Sequence, residues 1–326
     1  MSSTVPDIAP DPNTYNVYGY TPRRAENLAA LILFAIAWAM HTGLGVYHRQ
    51  YWFGTSMFIA TGLETAGYIA RYLSSYNPDI VNDFLVQIIC LTLGPAFFMA
   101  GMYFLLAETV IIWGIDHSRL KPWAYSQLFI SLDVVSIILQ AVGGGMAATA
   151  LVNGTEVGTG THIMVAGLAF QVFGTTIFFL ACLDFFWHVY TWKSQTQEAA
   201  RPSYIPNLDA NFDQLDTFHS SALAGPEKFA KIRESKQTKI FVIGALAAVV
   251  FVYIRSIYRV VELSIGWTGY LMAEEGYFLV LDTLMVFIAT WIMWVLYPAW
   301  CYGRISVSNE HKTLVSQKSE LGELQI

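Results

Sequence analysis

Seven stretches of the chain run for about the length of a membrane crossing with few polar interruptions, at 27–47, 52–73, 84–112, 122–150, 162–190, 239–263 and 276–301. A hydrocarbon core about 30 Å thick takes about 20 mostly apolar residues in a helix. Lipid offers no partner to backbone N–H and C=O groups, so each stretch must be helical. The pattern predicts an all-α protein, a seven-transmembrane-helix bundle that occupies residues 27–302. It is flanked by an external N-terminal segment, 1–26, and a cytosolic tail, 303–326. The loop 191–239 is polar and proline-containing (RPSYIPNLDANFDQ), and its end, GPEKFAKIRESKQTK, is expected to form a short surface helix. That loop and the tail read as cytosolic and partly disordered. No repeat period stands out, so an inverted-repeat transporter design is not visible.

The placement of Lys and Arg orients the bundle. With the N-terminus outside, Arg23 and Arg24 are the only external basic residues, and segments 74–83, 151–161 and 264–275 have none. The cytosolic side then holds Arg49, Arg119, Lys121, seven residues between 191 and 239, and Arg304, Lys312 and Lys318. Such an asymmetry favours an N-terminus outside and a C-terminus inside. The sequon Asn153-Gly154-Thr155 falls in an external loop and agrees with it.

Composition sharpens the class. Of 326 residues, 55% are hydrophobic and 13% charged, with mean hydropathy +0.46, whereas soluble domains carry about 25% charged residues. The net charge of -6 comes with no basic stripe or arm, which argues against nucleic-acid partners. Cys90, Cys182 and Cys301 lie in or beside apolar runs and do not form a disulfide framework. Residues 1–26 lack the apolar core of a cleaved signal peptide, so the first span is expected to insert and stay.

Charged side chains inside spans cost about 2.5–3.5 kcal/mol each on insertion scales, so their positions carry information. Span 2 has Glu64 and Arg71 on one face, with Gly67 and Tyr68 between them. Span 3 has Gln87 and the break-prone Gly94-Pro95. Span 4 has Asp133, Ser136 and Gln140 in one stripe, followed by Gly143-Gly144-Gly145, and span 5 has Gln171. Span 6 carries Arg255, Arg259 and Glu262; span 7 carries Asp282, just after Glu274 and Glu275. Arginines and carboxylates at membrane depth almost require pairing. Two readings follow and overlap: an ion-pair lattice that fixes helix packing, or the lining of a polar cavity for an amphiphile.

Other chemistries fit poorly. No lysine lies inside a span to form a retinal Schiff base. His41, His48, His117, His162, His188, His219 and His311 are scattered, unlike clustered zinc ligands, and no GxxxxGK[ST] loop is present to cradle ATP. His41 and His48 share a face and suit a haem or porphyrin, although satisfied or interfacial histidines explain them as well. Gly154, Gly158 and Gly160 read as a flexible external loop. Trp52, Trp113, Trp123, Trp187, Trp192, Trp267 and Trp300 near span ends form the ordinary interfacial belt.

Six segments in order carry a resemblance: ETAGYIAR (Glu64 to Arg71), GPAFFMAGMY (Gly94 to Tyr103), DVVSIILQAVGGG (Asp133 to Gly145), GLAFQ (Gly167 to Gln171), IRSIYRVVELSIGWTG (Ile254 to Gly269) and EGYFLVLD (Glu275 to Asp282). Together they resemble the fungal lipid-translocating exporter family, the RTA-like proteins associated with aminocholesterol resistance and sphingoid-base export. The resemblance spans roughly 17–302. It implies a non-enzymatic, flippase-like multi-pass exporter of amphipathic lipids, such as sphingoid bases or sterol-like toxins. The plasma membrane is the expected location, with endomembrane as the alternative. Membrane lipids and an amphipathic cargo are the expected partners, self-association into a homo-oligomer is compatible, and no cofactor is required. The matched polar positions are Glu64, Arg71, Asp133, Gln140, Gln171, Arg255, Arg259, Glu262, Glu275 and Asp282, as cargo-binding or gating residues. One departure is that no proline follows Asp282 in Thr283-Leu284-Met285, which puts a kink there in doubt. The alternatives are a seven-helix lipid-stress sensor that signals through the 191–239 loop, and a haem or porphyrin carrier using His41, His48 or His162.

Overall fold

A computed structural model of the chain describes residues 18, 20–113, 122–153, 155–199, 232, 235–266 and 269–302. The 303–326 tail, most of the 191–239 loop, Gly154, Trp267 and His117, His219 and His311 lie outside the described residues. Within them the secondary structure is helical: α1 Arg24–His48, α2 Tyr51–Ser74, α3 Val81–Trp113, α4 Pro122–Val152, α5 Gly158–Ala199 and α6 Lys236–Ile265. The last part of the chain is segmented into α7 Tyr270–Ala273, α8 Glu275–Phe278, a π-turn Leu279–Thr283, α9 Leu284–Val295 and α10 Pro298–Tyr302.

Local chemistry sets the helix ends. Between α1 and α2 the chain reverses within two residues because Arg49 takes a left-handed conformation, φ 57°. The Ser235 side chain accepts the Gln237 backbone N–H at 3.2 Å, capping α6. The break after α9 comes just before Pro298, which disfavours helical backbone in the residue preceding it.

Consecutive helices pack side by side, from α1 on α2 through α5 on α6, then α6 on α9, and α9 closes the ring against α1. α3 also touches α6 across the bundle, and it is the most buried of the long helices. One close crossing, that of α4 on α5, depends on two glycines. A Cβ on Gly143 of α4 would fall 2.3 Å from Met164 N, and one on Gly160 of α5 would fall 2.3 Å from Ala147 N. This corrects the expectation of a flexible loop through Gly158 and Gly160. Both lie in the first turn of α5, and Gly160 lets the α4 and α5 backbones meet.

Among the described residues, six helical segments are long and apolar enough to cross a membrane: α1, α3, α4, α5, α6 and the Glu275–Tyr302 segment. With large apolar side chains such as Ile138, Phe173, Leu180 and Ile243 standing exposed on the outside, the molecule is a multi-pass membrane protein. α2 is the helix that falls short. Its Thr61, Glu64, Thr65, Arg71 and Ser74 all turn inward and are buried, so its composition is diluted by polar groups that meet protein and not lipid.

Candidate functional site: a buried charge lattice

The lattice begins with a proline. In an α-helix the carbonyl of residue i accepts the N–H of i+4, and Pro95 has none to give to Leu91. Arg255 of α6 supplies the donor, its Nη2 hydrogen-bonding the Leu91 carbonyl. Arg255 Nε also sits 2.8 Å from Asp282 Oδ1 as an ion pair, although it is not aligned for a hydrogen bond. Arg259, one turn further along α6, grips the same aspartate with a fork, Nε to Oδ1 at 2.7 Å and Nη2 to Oδ2 at 3.1 Å. Its third nitrogen donates to Glu262 Oε2 at 2.8 Å. Tyr258 completes that carboxylate by donating to Oε1 at 2.9 Å.

Asp282 reaches this position from the π-turn, in the segment where no proline follows it. The absence of proline put a kink there in doubt, yet the helix is irregular at this point, with a widened turn over Leu279–Thr283. Such single π-turns are common at functional positions. Thr283, next along, accepts a hydrogen bond from Tyr68 at 2.5 Å, and Phe34 of α1 stacks on Tyr68 with ring centroids 5.2 Å apart.

Glu64 lies on the edge of the lattice and differs from its other carboxylates. It is 2% exposed, its charged neighbours are Arg255, Asp282 and Arg259, and its Oε1 has no hydrogen-bond partner. Gly94 covers it: a Cβ there would lie 2.7 Å from that oxygen.

A second cluster closes the end of the bundle where the chain enters α1. Arg71 Nη2 pairs with Glu275 Oε1 at 3.0 Å, and Arg71 Nε donates to Asn27 Oδ1 at 2.8 Å. Asn27 in turn donates to Glu275 Oε1 at 2.9 Å, and the Arg23 backbone N–H donates to Glu275 Oε2 at 3.0 Å. The segment before α1 folds over this pair. Arg71 also donates to the Tyr20 hydroxyl at 2.8 Å, and Tyr18 donates to Gln87 Oε1 at 2.5 Å. Burial pushes the Tyr18 phenol up to about 12 against the pull of Arg71 and raises Tyr20 as well, so both remain neutral at ordinary pH. The Arg71 guanidinium lies 4.1 Å from the Phe278 ring centroid, a cation–π contact.

The remaining matched positions form a third group between α3, α4 and α5. Tyr103 donates to Asp133 Oδ2 at 2.9 Å, Gln140 donates to Gln171 Oε1 at 2.9 Å and to Ser136 Oγ at 2.7 Å, and Ser136 donates to the Gly167 carbonyl at 2.6 Å. The ten matched residues thus fall into three hydrogen-bonded groups, the first two of which meet at Phe278, where Arg71, Arg259 and Glu262 line one small cavity. Sequence reasoning passed over Asn27, Tyr18, Tyr20 and Tyr258, and the Leu91 carbonyl. Only two of these carried a signal: a lone amide opening an apolar span at Asn27, and a tyrosine one turn before Glu262. His41, 0% exposed, has its Nε2 engaged 3.1 Å from the Thr290 carbonyl, while its buried Nδ1 has no hydrogen-bond partner.

Between α1 and the start of α9 runs a groove of about 200 Å³, lined by Ala30, Leu33, Phe34, Thr283, Leu284 and Phe287, with Glu26 at one end.

An all-helical, multi-pass membrane protein with paired charges at the depth of its bundle is the class that fold and lattice define. The chain belongs to the family described as RTA1 like protein, which it matches over residues 57–305. It is 35% identical to a protein of Saccharomyces cerevisiae named Sphingoid long-chain base transporter RSB1, over 94% of this chain and 80% of that one. Two further yeast relatives are more distant: Protein RTM1, 24% identical over 72% of this chain and 63% of its own, and Protein RTA1, 21% identical over 87% and 85%. No solved structure matches the chain.

Proposed function

We propose that this protein is a non-enzymatic carrier that moves a sphingoid-type long-chain base, or an amphiphile of like shape such as a sterol-like toxin, across the plasma membrane in a flippase-like manner. The observation that carries the reading is the 35% identity, over nearly the whole chain, to a relative named as a transporter of such bases. The chemistry of the bundle supports it. A long-chain base pairs a cationic amine with one alkyl chain, and the bundle holds buried carboxylates at the depth such a head must cross. The groove between α1 and α9 has an apolar wall and a polar Thr283 edge. An alkyl chain there need not leave the lipid while the head turns inward.

The reading includes a seven-span topology with the N-terminus outside. Residues 1–26 then form an outer segment, and the 191–239 loop and 303–326 tail lie in the cytosol. Glu64, Asp133, Glu262 and Asp282 offer acceptors to the amine; Arg71, Arg255 and Arg259 offset their charge; Gln140, Gln171 and Glu275 hold the surrounding helices in register. The test is export of a labelled long-chain base from cells expressing the chain, beside Glu64→Gln and Asp282→Asn variants at equal surface level. The expected outcome is export by the native chain and its loss in both variants. A chain that leaves the label in place yet protects cells from the base acts as a sensor, and the carrier reading fails.

A further inference from the structure

The lattice around Asp282 does not balance. Arg255 and Arg259 bring two positive charges, while Asp282, Glu262 and Glu64 bring three carboxyl groups. Both oxygens of Asp282 and both of Glu262 are engaged by arginine or tyrosine. Glu64 alone is left over, 2% exposed and with an orphan oxygen. An ionised carboxylate without a counter-charge at this depth costs several kcal/mol. Either a proton or a cation must therefore neutralise it. A hydrated metal ion fits badly, since hard cations take six to eight oxygen ligands. A primary ammonium, a compact charge with three donors, suits a single free carboxylate oxygen.

The groups that face Glu64 come from every element packed on it. α6 presents Arg255 and Arg259, and the π-turn presents Asp282. α3 presents Cys90 and the side-chain-free Gly94. On α2 itself Tyr68 lies one turn away, and its hydroxyl bonds Thr283, which is also on the edge of the α1–α9 groove. Tyr68 thus stands between Glu64, one turn away on α2, and the groove edge at Thr283.

Building on the carrier reading above, we propose that Glu64 is an exchange site, where a proton held by the empty carrier is replaced by the primary ammonium of an alkylamine cargo. The step balances: the Glu64 carboxyl and R–NH3+ give a carboxylate–ammonium pair and one proton released to water. Net movement of the amine one way is then tied to movement of a proton the other way, and a pH difference supplies the drive. Asp133, another buried carboxyl with an oxygen that has no hydrogen-bond partner, does not share this placement; it takes a hydrogen bond from Tyr103 between α3 and α4, outside the arginine lattice.

The test uses the purified full-length protein in lightly buffered detergent at about pH 6 with an indicator dye and dodecylamine as the probe. An alkylammonium, like lysine with its pKa of about 10.4, is fully charged there, so any proton released comes from the protein. Release of about one proton per amine bound is expected, with none from Glu64→Gln, which should bind the amine at least tenfold more weakly. Glu64→Asp should retain release. Melting of each variant checks that it is folded, and the native stoichiometry decides the matter if Glu64→Gln is not. Binding by the native protein without proton release, or equal release by Glu64→Gln, overturns the exchange while base export in cells can still succeed. Absence of amine binding also overturns it, and loss of export in cells as well would bring down the carrier reading with it.

Discussion

At the scale of single residues, Arg259 holds together two carboxylates from two different helices. Removing one partner of a buried ion pair leaves uncompensated charge and costs about 3–5 kcal/mol. Arg259→Met should therefore lower the yield of monodisperse protein and its melting temperature in detergent; normal yield and melting would remove the structural role of the lattice. Tyr18 gives a pH-dependent prediction. Its pKa is raised from 10.0 to about 12 in the fold, so the stability linked to its burial is fully present below pH 10. It is lost as the pH rises toward 12. Alkaline melting curves should show this loss, and Tyr18→Phe should flatten it while costing about 1 kcal/mol near neutrality through the lost Gln87 bond. The sequence marked Glu64 and Arg71 as sharing a face of one helix. It did not reveal that they serve different clusters: seven residues span about 10.5 Å of helix, and Arg71 finds its carboxylate on Glu275, far along the chain. Pairings of that kind depend on tertiary geometry, and so does the docking of Tyr18 and Tyr20, which no periodicity announces.

At the scale of elements, the helices were legible because lipid forces a long apolar run to be helical, although α2 falls short of the apolar length that a crossing needs. Departures from plain helix were less so. The loop expected through Gly158 and Gly160 is instead the start of α5, because glycine there serves a backbone contact and not a turn. Gly160→Leu should lower the melting temperature markedly by driving α4 from α5. Gly145→Ala, whose added Cβ would meet nothing within 4 Å, should be neutral or stabilising by up to about 1 kcal/mol. Gly94-Pro95 was legible as a break, but its use was not. The proline turns a helix carbonyl into an acceptor for Arg255. Pro95→Ala restores an N–H to Leu91, so it should keep or raise the melting temperature yet reduce base export, as Arg255 loses an anchor. If export is unchanged, Arg255 does not depend on that carbonyl.

At the scale of the whole molecule, the helices form a ring closed by α9 on α1, with α3 and α6 meeting across it. The lattice sits where that inner pair meets the segmented final helix. Regular helices surround the charges, and the least regular element, the π-turn, carries Asp282 into them. The seam between α1 and the start of α9 is the one whose wall opens into the groove, and it joins the first and last parts of the bundle, so it closes only when the chain is complete.

The inward polar face of α2 has a consequence for biogenesis. A helix that owes its place to protein neighbours has little affinity for lipid while those neighbours are still unsynthesised. Arg71 finds its ion-pair partner, Glu275, and Glu64 the charged groups that surround it, on α6 and the final segment, long after α2 has left the ribosome. During that interval α2 must shelter against α1 and the highly apolar α3, entering as part of a hairpin and not alone. A nascent chain halted after residue 80 should thus leave α2 outside the bilayer in a glycosylation-mapping assay. A chain halted after 121 should seat it.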